Sequence, residues 1–291
     1  MKQLLLQLDS SRLPSVFDRV VAYDAGAEEV MSYGGVTPGD VRDLVHGLIF
    51  TRGPKDLKHS AVFVGGSDMA AGEAILAAVV KTFFGPFRVS CMLDSNGSNT
   101  TAVAAVSKII ETAGGDVRGK RVVVVAGTGP VGTRAAGLLA AAGADVTITS
   151  RKQDEGERVA KAITNRFGAP VRCAVMHDAS EAAAAVDGAE ILLNTGPAGV
   201  QLVPRAAWAN RPGLRIAVDL NAVPPLGLEG IEVADAGVSK EGATVFGAIG
   251  VGGFKMKVHK ACVARLFERN DLVLDAETIA NVARDLRAAR A

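Results

Sequence analysis

The sequence predicts an α/β protein with two domains, each built on a parallel sheet, and three observations carry that expectation. Short apolar runs of strand composition alternate with helical patterns from one end to the other, as in sheets whose strands are joined by helices. A valine run, Lys120 to Ala126, turns through Gly127-Thr128-Gly129-Pro130-Val131-Gly132 into an Ala/Leu-rich helix. With 291 residues and 48% hydrophobic content, the chain can fill about two cores.

In the first domain, residues 1–115, strands are expected at Lys2–Leu8, Glu29–Tyr33, Ala61–Val64 and Val89–Leu93. Helices are expected over Ser15–Ala25, Thr37–Phe50, Met69–Phe84 and Thr100–Ala113. Thr37-Pro38-Gly39-Asp40 reads as a helix start, with a capping threonine, proline at the first position and an acid at the third. Gly114-Gly115 ends the unit. A second domain, 116–258, follows with strands at Arg121–Ala126, Asp145–Ser150, Val171–Val175, Ile191–Asn194 and Ile216–Leu220. Its helices cover Thr133–Ala142 and the segment from Gln153 to Phe167. Residues 259–291 read as helices that pack back on the first domain, amphipathic over Cys262–Arg290.

The glycine-rich turn is a dinucleotide fingerprint in the context that makes it specific: a buried strand before it, a helix after it and a second strand beyond. Gly127 permits the tight turn, Gly129 lets backbone approach a pyrophosphate, and Gly132 lets helix and strand lie close. Thr128, Pro130 and Val131 bring the helix start, with its unpaired N–H groups, to the phosphates. An NAD site would place an acid at the end of the second strand, for the ribose 2′-hydroxyl. Here stand Ser150, Arg151 and Lys152, a hydroxyl, a guanidinium and an ammonium suited to a 2′-phosphate. The expected cofactor is NADP, with NAD accepted more weakly, on a Rossmann-type domain.

Charge excludes some partners. Lys plus Arg (32) nearly balances Asp plus Glu (31), so no net field draws the chain to nucleic acid or an anionic membrane. No apolar run approaches the ~20 residues of a membrane span, and MKQLLLQLD is short and soon acidic for a secretory signal, so a cytoplasmic location is expected. Cys91, Cys173 and Cys262 read as reduced small hydrophobes, and His46, His59, His177 and His259 lack the spacing of metal ligands.

The partner is expected to be a small molecule. Asp94-Ser95-Asn96-Gly97-Ser98-Asn99-Thr100-Thr101 lies at the carboxyl end of a strand, where open α/β sheets bind ligands, and offers one acid and many neutral hydrogen-bonding groups. That inventory suits a heterocycle. A helix cap also uses Ser, Asn and Thr, although one or two would suffice. In the second domain, Asn194–Gly199 (with Ala198) and Asp219–Pro225 (with Asn221) follow apolar strands and should face the ligand cleft. Gly247–Gly253 reads as a loop leading to Lys255 and Lys257, either of which could reach a site.

These segments resemble the bacterial NADP-dependent methylene-tetrahydromethanopterin dehydrogenases. The similarity runs through Pro14–Asp18, Thr51–Gly53, Phe63–Glu73, Phe83–Thr101, AGTGPVG, Asn221–Pro225 and Phe246–Cys262. The resemblance implies a pterin bound with Phe17, Asp18, Asp94, Asn96, Ser98, Thr100 and Thr101, NADP on the second domain, and an active-site lysine at Lys255. It also implies homo-oligomeric assembly, as a trimer or hexamer. The implied reaction removes hydride from a methylene carbon between two nitrogens and leaves a methenyl cation. No heteroatom proton departs, which accounts for the lack of an obvious acid–base pair. Methylene-tetrahydrofolate as substrate and a non-catalytic NADP-binding regulator are the alternatives. Shikimate dehydrogenase is a further comparison, but its Asn-Val-Thr-x-Pro-x-Lys motif is not found.

Overall fold

The computed structural model describes residues 1–289. In chain order the elements are β1 (Leu4–Asp9), α1 (Val16–Asp24), β2 (Glu29–Tyr33), α2 (Val41–Ile49), β3 (Ser60–Gly65), α3 (Met69–Thr82), β4 (Ser90–Leu93) and α4 (Ser98–Thr112). There follow β5 (Arg121–Val125), α5 (Pro130–Ala141), β6 (Asp145–Ser150), α6 (Gln153–Phe167), β7 (Val171–Val175), α7 (Ala182–Ala185), β8 (Ile191–Asn194), α8 (Arg205–Trp208), β9 (Ile216–Asp219), β10 (Ala236–Lys240) and β11 (Ala243–Phe246). The chain ends with α9 (Ala248–Arg265), β12 (Val273–Leu274) and α10 (Ala276–Ala288). Two compact units result: Met1–Thr100 with the segment from Met256 onward, and Thr101–Lys255. Their limits fall inside α4 and α9, two continuous helices, whereas composition placed them at Gly114-Gly115 and after Val258.

The first unit holds a five-stranded parallel sheet in the order β12-β4-β3-β1-β2. Its core is aliphatic: Leu6, Leu8, Val62, Val64, Cys91 and Leu93 on the strands meet Val41, Val45, Ile75 and Val79 on α2 and α3. Register decides function here. Asp9 lies opposite Gly65, and Val64 opposite Leu93, so the loops that begin at Ser10, Gly66 and Asp94 emerge along one carboxyl edge. Thr37–Asp40 does not open the helix as expected. The Asp40 carboxylate accepts from the Thr37 N–H (2.8 Å) and hydroxyl (2.7 Å), which closes a turn before α2 and holds this carboxyl below its usual range. In the C-terminal segment β12, between α9 and α10, adds a short strand to the sheet edge, and Asp275 starts α10 through a reciprocal cap with Thr278.

The second unit holds a seven-stranded sheet in the order β10-β11-β9-β8-β5-β6-β7, parallel except for β10. The chain winds outward from β5 through β6 and β7 on one side and through β8 and β9 on the other. The crevice between β5 and β8 is therefore the switch point where such sheets bind ligands. Val125 opposite Asn194, and Asn194 opposite Asp219, align the loops there. Trp208, fully buried, anchors the far face and donates from Nε1 to the Glu229 carbonyl (2.9 Å). Gly247–Gly253 is a correction: after Gly247 it is not a loop but the start of α9. Gly247 and Gly250 serve close packing, because a Cβ at either would lie about 2 Å from a backbone carbonyl oxygen, of Glu232 and Asp235 respectively.

Candidate functional site

The turn after β5 divides its labour differently from the simple glycine rule. Ala126, not Gly127, takes the left-handed conformation (φ 52°), and its N–H donates to the Thr149 hydroxyl (2.9 Å). Gly127 is required for space, since a Cβ would lie 2.7 Å from that of Ile148 on β6. A Cβ on Gly132 would meet Thr195 Oγ1 at 2.6 Å and Gly127 Cα at 2.7 Å, so α5 can lie against the strand only without one. Gly129 has an ordinary extended backbone and nothing nearer than 3.9 Å to its would-be Cβ. What a side chain there would displace is whatever enters the cavity beside it. Pro130 opens α5 without an N–H, no side chain caps this end, and the first-turn N–H groups of Val131 and Gly132 are therefore available to an anion.

The cavity has a volume of ≈ 460 Å³. Ala126, Thr128, Gly129 and Pro130 form its floor; Thr149, Ser150 and Arg151 lie at the end of β6, Met176 and His177 at the end of β7, and Thr195–Pro197 after β8. Among the described residues lining it, Arg151 and His177 are the basic ones and none is acidic. The Ser150 hydroxyl accepts from the Lys152 N–H (3.2 Å) and donates to the Lys152 carbonyl (2.9 Å), so it shapes the turn that presents Arg151. Lys152 lies outside the lining, as the N-cap of α6. These features fit a dinucleotide phosphorylated at the 2′ position: a glycine cradle, an uncapped helix start and a cationic end.

Asn194 and Asn221 work on the loops themselves. Asn194 donates to Asp219 Oδ1 (2.7 Å) and accepts from the Gly196 N–H (3.2 Å). Asp219 also accepts from the N–H groups of Asn221 (3.0 Å) and Leu228 (2.8 Å). Asn221 donates to the carbonyls of Pro197 (3.3 Å) and Pro225 (3.2 Å) and accepts from the Val223 N–H (2.9 Å). This buried network fixes both loop paths, and Ala198 is exposed at the tip of one.

In the first unit, much of the Asp94–Thr101 loop is internally engaged. The Asp94 carboxylate, fully buried, accepts from the Thr100 N–H (2.9 Å) and hydroxyl (2.6 Å). Ser95 donates to the Gly65 carbonyl (2.9 Å) and Asn99 to that of Leu93 (2.6 Å). Asn96, with φ 54°, is the exposed side chain of the turn; Ser98 is buried and Thr101 half-buried. His259, which the sequence did not mark, lies 4.0 Å from Asp94 Oδ2 and stacks on Phe63 at 5.6 Å between ring centroids. Phe17, half-exposed on α1, leans toward it at 6.2 Å, and Asp18 begins that helix with its N–H on the Ser15 hydroxyl. Thus Asp94, Ser98, Thr100, Phe17 and Asp18 gather at one sheet edge. Lys255 is half-buried in α9 and Lys257 exposed.

A family model described as methylene-tetrahydromethanopterin dehydrogenase, N-terminal, matches residues 16–96. The chain is 50% identical over 285 residues to the "Bifunctional protein MdtA" of Methylorubrum extorquens, covering 98% of this chain and 99% of that one. The chain belongs to the methylene-tetrahydromethanopterin dehydrogenase family. It is also 32% identical to the NAD(P)-dependent methylenetetrahydromethanopterin dehydrogenase of the same organism, over 94% of this chain and 95% of that one. Among solved structures, shikimate 5-dehydrogenase from Listeria monocytogenes, in complex with shikimate and NAD, superposes with a TM-score of 0.59. It covers 97% of this chain and 96% of its own at 15% identity, a likeness of fold alone.

In this family member desolvation first, then Asp275, pushes the Cys91 thiol up to about 12, and burial raises Cys262 and Cys173 too. No helix among the described residues is long and apolar enough to cross a membrane, and no group of three metal-ligating side chains converges among them. Besides His259, sequence reasoning missed Met176 and His177. Their signal was available: they follow VRCAV, the strand paired with the one that ends in Ser150.

Proposed function

We propose that this chain catalyses reversible hydride transfer between the methylene carbon of 5,10-methylene-tetrahydromethanopterin and NADP, giving the methenyl pterin and NADPH. The observation that carries the reading is the acid-free, Arg151-bearing cavity over the Gly127–Gly132 turn in a member of this family. When bound, the nicotinamide supplies the hydride-accepting carbon. The protein supplies positioning: the α5 start and Gly129 hold the pyrophosphate, Arg151 the 2′-phosphate, and the Asp219–Asn194–Asn221 network keeps the neighbouring loops in one path. Fixed geometry of this kind can contribute much of a barrier reduction without any proton acceptor.

The pterin belongs to the carboxyl edge of the first unit, with Asn96 and Phe17 offering contact and Asp94 stiffening the loop behind them. Lys255 acts as a positioning and electrostatic residue, because a cation near a developing cation would not stabilise it. The reading further places the enzyme in the cytoplasm as a homo-oligomer. The test is an anaerobic absorbance assay of methylene-tetrahydromethanopterin and methylene-tetrahydrofolate, each with NADP or NAD. Turnover is expected to be fastest with NADP and the methanopterin substrate. Silence in all four, with NADP still binding, would overturn the reading in favour of a non-catalytic sensor.

A further inference from the structure

The cavity wall beside Arg151 contains an imidazole with no part in the reading so far. Ser150 pairs with Val175, and the Met176 N–H donates to the Ser150 carbonyl (2.9 Å), so His177 emerges next to the β6 turn. It lines the same cavity as Arg151. Its ring is held from behind: Nδ1 lies 3.0 and 2.9 Å from the two Glu181 carboxylate oxygens, and the His177 backbone N–H donates to Glu181 Oε2 (2.7 Å). These contacts, the backbone one foremost, hold the Glu181 carboxyl below its usual range. Glu181 therefore stays ionised and accepts from a proton on Nδ1, leaving Nε2 as the ring atom that can meet a ligand. The charged groups around it are Glu181 and Asp178 on its own segment, the latter tied to Ser180 (2.8 and 2.6 Å). From the β6 turn comes Arg151, which lines the same cavity.

We propose that His177 is a specificity residue that sets the choice between NADP and NAD according to its protonation. As imidazolium, Nε2–H donates to the 2′-phosphate beside the Arg151 guanidinium, a charge-assisted bond. As neutral imidazole with its proton on Nδ1, the same Nε2 accepts from an unphosphorylated ribose 2′-hydroxyl and repels a phosphate oxygen. Preference for the phosphorylated cofactor thus declines as pH rises through the histidine range. This rests on the NADP reading of the same cavity.

The test is calorimetric binding of 2′,5′-ADP and 5′-AMP to the wild-type protein and to His177→Gln. Measurements are made at about pH 6 and about pH 8.5, on either side of the range in which histidine side chains change charge. Glutamine retains a neutral donor and removes the titration, and the site is exposed, so matched melting curves will show that the fold is kept. In the wild type the affinity ratio of 2′,5′-ADP to 5′-AMP is expected to fall by about three- to tenfold between the two pH values, as befits one exposed charged hydrogen bond. The 2′-phosphate itself gains charge over that range, its second pKa being about 6. Its own titration would thus raise the ratio, and His177→Gln should show that opposite trend. Identical pH profiles in the two proteins, with 2′,5′-ADP still the tighter ligand, would overturn the role of His177 and leave the NADP reading standing. If 2′,5′-ADP binds the wild type no more tightly than 5′-AMP, the NADP reading falls and the role of His177 with it.

Discussion

The proposed function puts cofactor choice on one exposed side chain, Arg151. The Ser150 hydroxyl closes the turn behind it and Lys152 holds the N-cap position of α6 outside the lining, so Arg151 is the cation of this turn that lines the cavity. Replacing Arg151 with alanine should raise the Michaelis constant for NADP about tenfold, the lower range for hydrogen bonds to a charge because the site is solvated. That for NAD should change little, and steady-state kinetics with both cofactors will check it. Equal effects would remove Arg151 from the 2′-phosphate site. The absence of an acid after Ser150 made this residue legible in the sequence. His177 was legible only through the pairing of VRCAV with the strand that ends in Ser150, and His259 was not, because it reaches its position through a helix packing that no local pattern encodes. Asp94 was half legible: its loop was found, but its carboxylate turns inward to Thr100.

Glycine means different things in neighbouring elements, and α9 shows it. Seven residues with four glycines, Gly247 to Gly253, read as a loop because helix propensity there is low. The structure makes them a helix start, since Gly247 and Gly250 pack against backbone of the Glu232–Ala236 segment that leads into β10. Gly250→Ala should therefore destabilise the protein by about 2 kcal/mol or more, because the obstacle is a carbonyl and cannot swing aside. Gly252, with nothing within 4 Å of a would-be Cβ, should respond oppositely, with Ala raising stability by roughly 0.5–1 kcal/mol through helix propensity. Chemical denaturation of both variants checks the pair, and a loss in Gly252→Ala as large as that in Gly250→Ala would refute the packing account. The β10–β11 hairpin escaped the sequence for a related reason. Its outer strand, AGVSK, is largely exposed and bulged at Gly237, so it shows no alternation. The inner parallel strands β1, β3, β4, β5, β8 and β9 were legible because they are buried along nearly their whole length and their apolar runs are continuous.

For the chain as a whole, the cofactor reading becomes a statement about stability. A ligand that binds only the folded state stabilises it by RT ln(1 + [L]/Kd), about 2.7 kcal/mol at a hundredfold excess over Kd. In a protein of this size each kcal/mol moves the midpoint by roughly 2–3 °C, so NADP at that excess should raise it by roughly 5–8 °C. NAD at the same concentration should raise it less, by the margin that the 2′-phosphate adds. Arg151→Ala should lose the NADP advantage while keeping the shift due to NAD, because it leaves intact the Gly127–Gly132 turn and the start of α5, the proposed seat of the pyrophosphate common to both. Scanning calorimetry with each cofactor on each protein separates the two contributions. A variant that loses both shifts would place Arg151 in the fold of the site rather than in its specificity, and equal shifts in the wild type would mean that the cationic end of the cavity does not read the phosphate.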